Sequence, residues 1–229
     1  MGPSHLAVIA LILVLAAGLV LVARRMRMAD AVLRPALALV LAVGWAGWWW
    51  TTKSQGLLTL ENGLPLNLCD WAEIVLIVAL LTRHQFAYEL GYFWGLGGTL
   101  QGVLTPPLYY DWPHPQFIFF FLQHGGVIVA LLYLTLGTGL RPFWGSLPRV
   151  AVASLFYLAC AGLADWLLGL NYGFLRAKPA GENLLTLMAP WPWYIPELVA
   201  AGLVFLLVYY APFALADWHK ARRNTPKST

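Results

Sequence analysis

Cys69 and His124 are the two side chains in this 229-residue sequence whose types suit covalent acyl chemistry. A thiol beside an imidazole can be deprotonated, attack an ester carbonyl and hold the acyl group as a thioester, after which the imidazole activates the acceptor. Both residues lie inside apolar runs. At the helical rise, Cys69 sits about 5 Å below Leu66 and His124 about 10 Å below Phe117, so a modest helix tilt brings them level.

Other polar residues share that depth. Asp70 and Glu73 follow Cys69, Gln101 lies near the end of the next apolar run, and Gln123 precedes His124. Asp165, Asn171 and Tyr172 fall toward the end of the sixth run, and Glu197 begins the seventh. Ionisable groups in hydrocarbon cost several kcal/mol unless they meet partners or water, so a common depth predicts one pocket open to the outer leaflet or the exterior. Blander accounts stand beside this one. Glu197 after Pro196 and Asp70 near Pro65 suit helix N-termini. Asp165 needs a donor, which His124 could supply as a structural bridge between helices. Cys160, in Leu-Ala-Cys-Ala-Gly, is the packing cysteine with which Cys69 must be compared.

Membrane helices have to position these residues. Hydrophobic residues make up 60% of the chain and charged ones 10%, too little polar material to cover a water-facing globule of this size. The apolar runs approach the length of spanning helices, about twice that of barrel strands. Seven are expected, at roughly 6–22, 31–50, 66–81, 90–104, 117–136, 150–170 and 194–215. Arg24, Arg25 and Arg27 follow the first run, whereas a cleavable signal carries its charge before the apolar stretch, so the first helix is read as retained.

Placing that cluster in the cytoplasm puts Arg34, Arg83, Arg141, Arg149, Lys220, Arg222, Arg223 and Lys227 there too. Only Lys53, Arg176 and Lys178 remain outside. The predicted fold class is an all-α membrane protein of seven transmembrane helices, N-terminus outside and C-terminus cytoplasmic. One transmembrane domain covers 1–218, and a short basic tail over 219–229 is expected to be disordered. Anionic lipid headgroups account for the net charge of +4, and no nucleic-acid partner is needed. The two cysteines have no CxxC or Cys/His zinc spacing, so neither metal nor cofactor is expected. Gly91, Gly95, Gly98 and Gly102 predict close approach of a neighbouring helix. The external connections, rich in Pro, Trp and Tyr, suit an interfacial belt or a lipid entrance.

Five segments carry a resemblance to a known family. They are Leu-Pro-Leu-Asn-Leu-Cys-Asp (64–70), Phe-Trp-Gly-Leu-Gly-Gly-Thr-Leu-Gln (93–101), Phe-Phe-Leu-Gln-His-Gly (120–125), Asn-Tyr-Gly-Phe-Leu-Arg-Ala-Lys-Pro (171–179) and Pro-Trp-Pro-Trp-Tyr (190–194). Their combination resembles the YwaF-type integral membrane family over about residues 60–200. The resemblance implies a seven-helix protein of the bacterial plasma membrane. Its distant animal relatives are regarded as lipid acyltransferases with a membrane Cys–His pair, and here that pair is Cys69 and His124. A histidine often stands two places before the family cysteine; this chain has Asn67 there.

The expected function is therefore a membrane lipid acyltransferase, transacylase or lipase, with Cys69 as nucleophile and His124 as general acid and base. Asp70, Glu73 or Asp165 would support the imidazole. Gln101, Gln123, Asn171, Tyr172 and Glu197 would hold the carbonyl oxygen or headgroup. An outward-facing site does not meet cytoplasmic acyl-CoA, so a membrane phospholipid is the expected donor and partner. Two alternatives stay open. One is a transporter or receptor that binds a small molecule through Asp165, Glu197 and His124. The other is a structural subunit whose polar cluster only ties helices together.

Overall fold

Helices begin and end where local chemistry permits. In the computed structural model, which describes residues 2–179 and 184–224, α1 (Pro3–Arg25) opens on a proline, whose missing N–H has no partner to lose there, and closes on Arg24 and Arg25. α2 is Asp30–Ser54. A single turn, Leu60–Gly63, capped by Thr59, precedes α3 (Leu68–Thr82), which Arg83 ends in a left-handed conformation at φ 58°. α4, over 85–104, is α-helical to Trp94, π-helical over Gly95–Thr99 and α-helical again over Leu100–Leu104. α5 is Pro115–Gly137, its last turn again π-helical. α6 is Ser146–Leu168, stopped by Gly169 at φ 71°, and α7 is Tyr194–Asn224. No strand occurs among the described residues.

Among the described residues six helical segments are long and apolar enough to cross a membrane: α1, α2, Leu60–Thr82 (which contains α3), α5, α6 and α7. Seven are expected from the sequence, and α4 is the one outside this set. Its surroundings explain the difference. Every residue from Ala87 to Gly95 is buried, so neighbouring helices rather than lipid solvate that part of α4. α5 is the other interior helix, with 67% of its apolar window buried against 6% for α7, and it packs on α1, α2, α3 and α4. α6 and α7 also pack on α4.

Glycine permits these approaches. A Cβ on Gly91 would lie 2.3 Å from Leu76 Cδ1, and one on Gly98 3.2 Å from Leu68 Cδ2, both on α3. Gly95 and Gly102 instead face Leu131 and His124 of α5, each leaving 3.0 Å for a Cβ. The four glycines therefore serve two neighbours. Gly44 on α2 meets main chain, since its Cβ would stand 2.8 Å from the Gln123 nitrogen.

Polar contacts collect at two ends. At one, the Ser4 hydroxyl donates to Asp111 Oδ1 at 2.5 Å and holds that carboxyl below its usual range. His5 Nε2 lies 2.8 Å from the Val103 carbonyl at the same end. At the other, Arg24 donates to Leu136 O and Arg34 to Leu80 O, while Asp30 accepts from Arg34 (2.9 Å) and Tyr133 (2.7 Å) and pairs with Arg83 (3.3 Å). Arg149 pairs there with Glu89, and Arg141 with Asp217. The ends alternate along the chain, so successive long helices run antiparallel. α7 passes Trp218 and continues to Asn224, so the disordered tail expected from 219 is helical over 219–224, with Arg222 stacked 3.9 Å over the Trp218 ring. Residues 225–229, including Lys227, and residues 180–183 of the third external connection lie outside the described residues.

Candidate active site

Cys69 occupies the first turn of α3, and the segment before it is pinned from several sides. The Asp70 carboxylate accepts from the Asn67 amide at 3.0 Å, closing a capping box. The Trp71 indole donates to Pro65 O at 3.0 Å and the Tyr157 hydroxyl to Leu66 O at 3.1 Å. The first-turn position gives Cys69 two properties. The amides of Leu68 and Cys69 have no acceptor within the helix, whereas those of Asp70 and Trp71 reach Asn67 O at 3.1 and 3.3 Å, and the positive end of the helix dipole is near the sulfur. The thiol is half-buried.

His124 sits at mid-length on α5, stacked on Phe120 with ring centroids 4.1 Å apart and planes at 15°. Its Nδ1 lies 3.2 Å from the Phe120 carbonyl oxygen, one turn back on the same helix. A carbonyl only accepts, so this bond puts the proton on Nδ1 and leaves the Nε2 lone pair free. Nε2 faces α4, 3.5 Å from where a Cβ on Gly102 would stand.

The helices carrying the two residues are joined by a buried polar pair. Gln123 Nε2 donates to Glu73 Oε2 at 2.6 Å, with Glu73 1% exposed and Gln123 4%. Glu73 lies one turn beyond Cys69, and Gln123 is next to His124. Glu73 Oε1 has no hydrogen-bond partner. α4 lines the same region. The Thr99 hydroxyl at the end of its π-helical turn neighbours the Cys69 thiol without forming a hydrogen bond to it. Cys69 thus approaches α4 at Thr99 and His124 approaches it at Gly102, one turn further on.

The remaining candidates separate into other structures. Asp165 is buried, but its Oδ1 accepts from the Tyr172 amide at 2.7 Å, and Arg176 donates to its main-chain oxygen at 3.2 Å. The donor that Asp165 needs comes from the following turn. Asn171 folds the same turn, its Oδ1 accepting from the amides of Arg176 (2.9 Å) and Ala177 (3.0 Å). The Tyr172 hydroxyl donates to Leu60 O and accepts from Leu64 N at 3.0 Å. Burial pushes that phenol up, so it remains a neutral donor. Glu197 is exposed and accepts from the Ala189 amide at 2.9 Å. Asp70 serves its helix start, as its N-terminal position allows. Gln101 is half-buried on α4, between Thr99 and Gly102.

Most of the candidates therefore fall in two regions: the α3–α4–α5 interface, which carries Cys69, Glu73, Thr99, Gln123 and His124, and a loop network over 165–177 and 189–197. Sequence reasoning missed Thr99, and also Tyr157, whose hydroxyl holds the segment before Cys69. The glycine-rich stretch Gly-Leu-Gly-Gly before Thr99 was the available signal for an irregular helix.

The fold defines an all-α polytopic membrane protein in which a buried carboxyl–amide pair joins the two helices that carry the thiol and the imidazole. The chain belongs to the TMEM164 family, whose model matches residues 1–210. No curated protein and no solved structure matches it.

Proposed function

We propose that this protein transfers or hydrolyses acyl groups of membrane phospholipids through a thioester on Cys69, with His124 as general acid and base. The observation that carries the reading is that Cys69 and His124 approach successive turns of α4, at Thr99 and Gly102, beside the Glu73–Gln123 bond. The YwaF-type resemblance of residues 60–200 supports the same pair. So does the state of the imidazole, because a protonated Nδ1 leaves Nε2 as the base.

In the first half-reaction Nε2 takes the thiol proton as sulfur attacks the ester carbonyl. The C–O bond breaks, and the imidazolium returns the proton to the departing lysolipid oxygen. In the second, Nε2 takes a proton from water or a lipid hydroxyl, whose oxygen attacks the thioester and expels the sulfur, which recovers its proton. The first-turn amides of Leu68 and Cys69 supply fixed donors for the oxyanion.

The proposal includes a topology. α4 is the seventh crossing, since 85–104 is about 30 Å long at the helical rise, enough for a hydrocarbon core. The arginine-rich end faces the cytoplasm, the N-terminus lies outside, and the membrane is a bacterial plasma membrane. With Cys69 toward the outer end, the donor is an outer-leaflet phospholipid. Transport or reception through Asp165, Glu197 and His124 is less favoured, because Asp165 and Glu197 are engaged by loop amides.

The test uses purified protein in phospholipid vesicles. Wild type should acquire a hydroxylamine-labile acyl adduct on the Cys69 peptide and turn over phospholipid, whereas Cys69→Ala and Cys69→Ser should do neither. Turnover retained in both variants excludes covalent cysteine catalysis.

A further inference from the structure

Threonines in helices usually return their hydroxyl to a carbonyl on the preceding turn. Five in this chain do so: Thr52 to Trp48 O, Thr82 to Val78 O, Thr105 to Gln101 O, Thr135 to Leu131 O and Thr138 to Leu134 O, at 2.6–3.0 Å. Thr99 does not. Like Thr51 on α2, it is 1% exposed and its Oγ1 has no formed hydrogen bond. The two carbonyls on its preceding turn already have donors: Gly95 O accepts from the Leu100 amide in the π-helical turn Gly95–Thr99, and Leu96 O accepts from the Tyr209 hydroxyl at 3.1 Å. The turn also packs onto the start of α3, with Gly98 against Leu68, and so brings the Thr99 hydroxyl to the Cys69 thiol.

A buried hydroxyl without an acceptor is costly, and irregular π turns concentrate at functional sites. We propose that Thr99 is a dedicated hydrogen-bond donor to the sulfur of Cys69, left without a partner in the resting protein so that it meets the negative charge that develops there. This inference rests on the Cys69 reading of the site and deepens it. As Nε2 of His124 removes the thiol proton, the Thr99 O–H turns onto the thiolate, and no bond to Thr99 is made or broken. A donor already in place gains strength when its acceptor becomes charged, at little cost in reorganisation.

The experiment is alkylation of Cys69 by N-ethylmaleimide at fixed pH, in the full chain carrying Cys160→Ala and reconstituted in phospholipid nanodiscs. Thr99→Val keeps the shape and removes the donor, and the rate should fall roughly tenfold, as expected for loss of a bond to a charged group. Thr99→Ser restores the donor and should recover the rate to within about threefold. Thr99→Ala, which cannot overpack, replaces Thr99→Val should the latter not fold. An unchanged rate in the donorless variant overturns the proposal, and so does a serine variant as slow as the valine one. Alkylation requires no acyl donor. A wild type without phospholipid turnover but with this pattern of rates would therefore overturn acyl transfer while supporting the role of Thr99.

Discussion

His124 gives one ring nitrogen to its own helix and turns the other toward Gly102, where no larger side chain fits without moving the ring. A methyl group there would stand 3.0 Å from Cδ2 and 3.5 Å from Nε2. Gly102→Ala should therefore shift the base by a few tenths of an ångström and leave the fold intact. Phospholipid turnover should drop at least tenfold, as small misplacements of reacting groups do, with the thermal midpoint moving by no more than about 2 °C. Unchanged turnover would mean that Nε2 is not the working base. Cys69 and His124 stand out in the sequence because thiol and imidazole are rare and chemically distinct. Asp165, Asn171, Tyr172 and Glu197 were read as site residues on depth alone. Their partners are main-chain groups of loops and turns, which composition and depth do not reveal. Thr99 had the opposite problem: a helical threonine is ordinary until its neighbours are known.

Between helices, the tightest approach involving main chain is that of α2 to α5 at Gly44. A Cβ there would lie 2.8 Å from the Gln123 nitrogen and 3.1 Å from its Cα, and helix backbone cannot yield as a leucine tip can. Gly44→Ala should destabilise the protein by about 1–3 kcal/mol, seen as a lower thermal midpoint in detergent, and should disturb the Glu73–Gln123 bond as well. Gly18→Ala on α1 is the control, since nothing lies within 4 Å of a Cβ at Gly18. Equal midpoints for the two variants would refute the role given to Gly44. The spacing of Gly91, Gly95, Gly98 and Gly102 announced a close contact. That it serves α3 and α5 alternately depends on the rotation of α4, which the π turn alters.

At the scale of the whole molecule, alternating ends and the arginine-rich face make a single statement about topology. Tyr109, 98% exposed, and Met28, 86% exposed, mark the two ends without making critical contacts. In intact cells, Tyr109→Cys should react with a membrane-impermeant maleimide, and Met28→Cys should react only after lysis. The reverse pattern would invert the orientation and bring the thiol end to the cytoplasm, where acyl-CoA would be the donor to test.

The sequence by itself determined that this chain belongs in a bilayer as a set of helices, because apolar length and composition act segment by segment and need no partner. It also singled out the thiol and the imidazole by their chemistry. Only the tertiary structure decided which polar residues meet. Gln123 bonds Glu73 from another helix, Asp165 bonds a turn rather than His124, and Tyr209 of α7 takes the Leu96 carbonyl on the turn before Thr99. Those pairings follow from helix rotation and from approach distances set by glycines far apart in the chain, quantities that arise only when all the helices pack together.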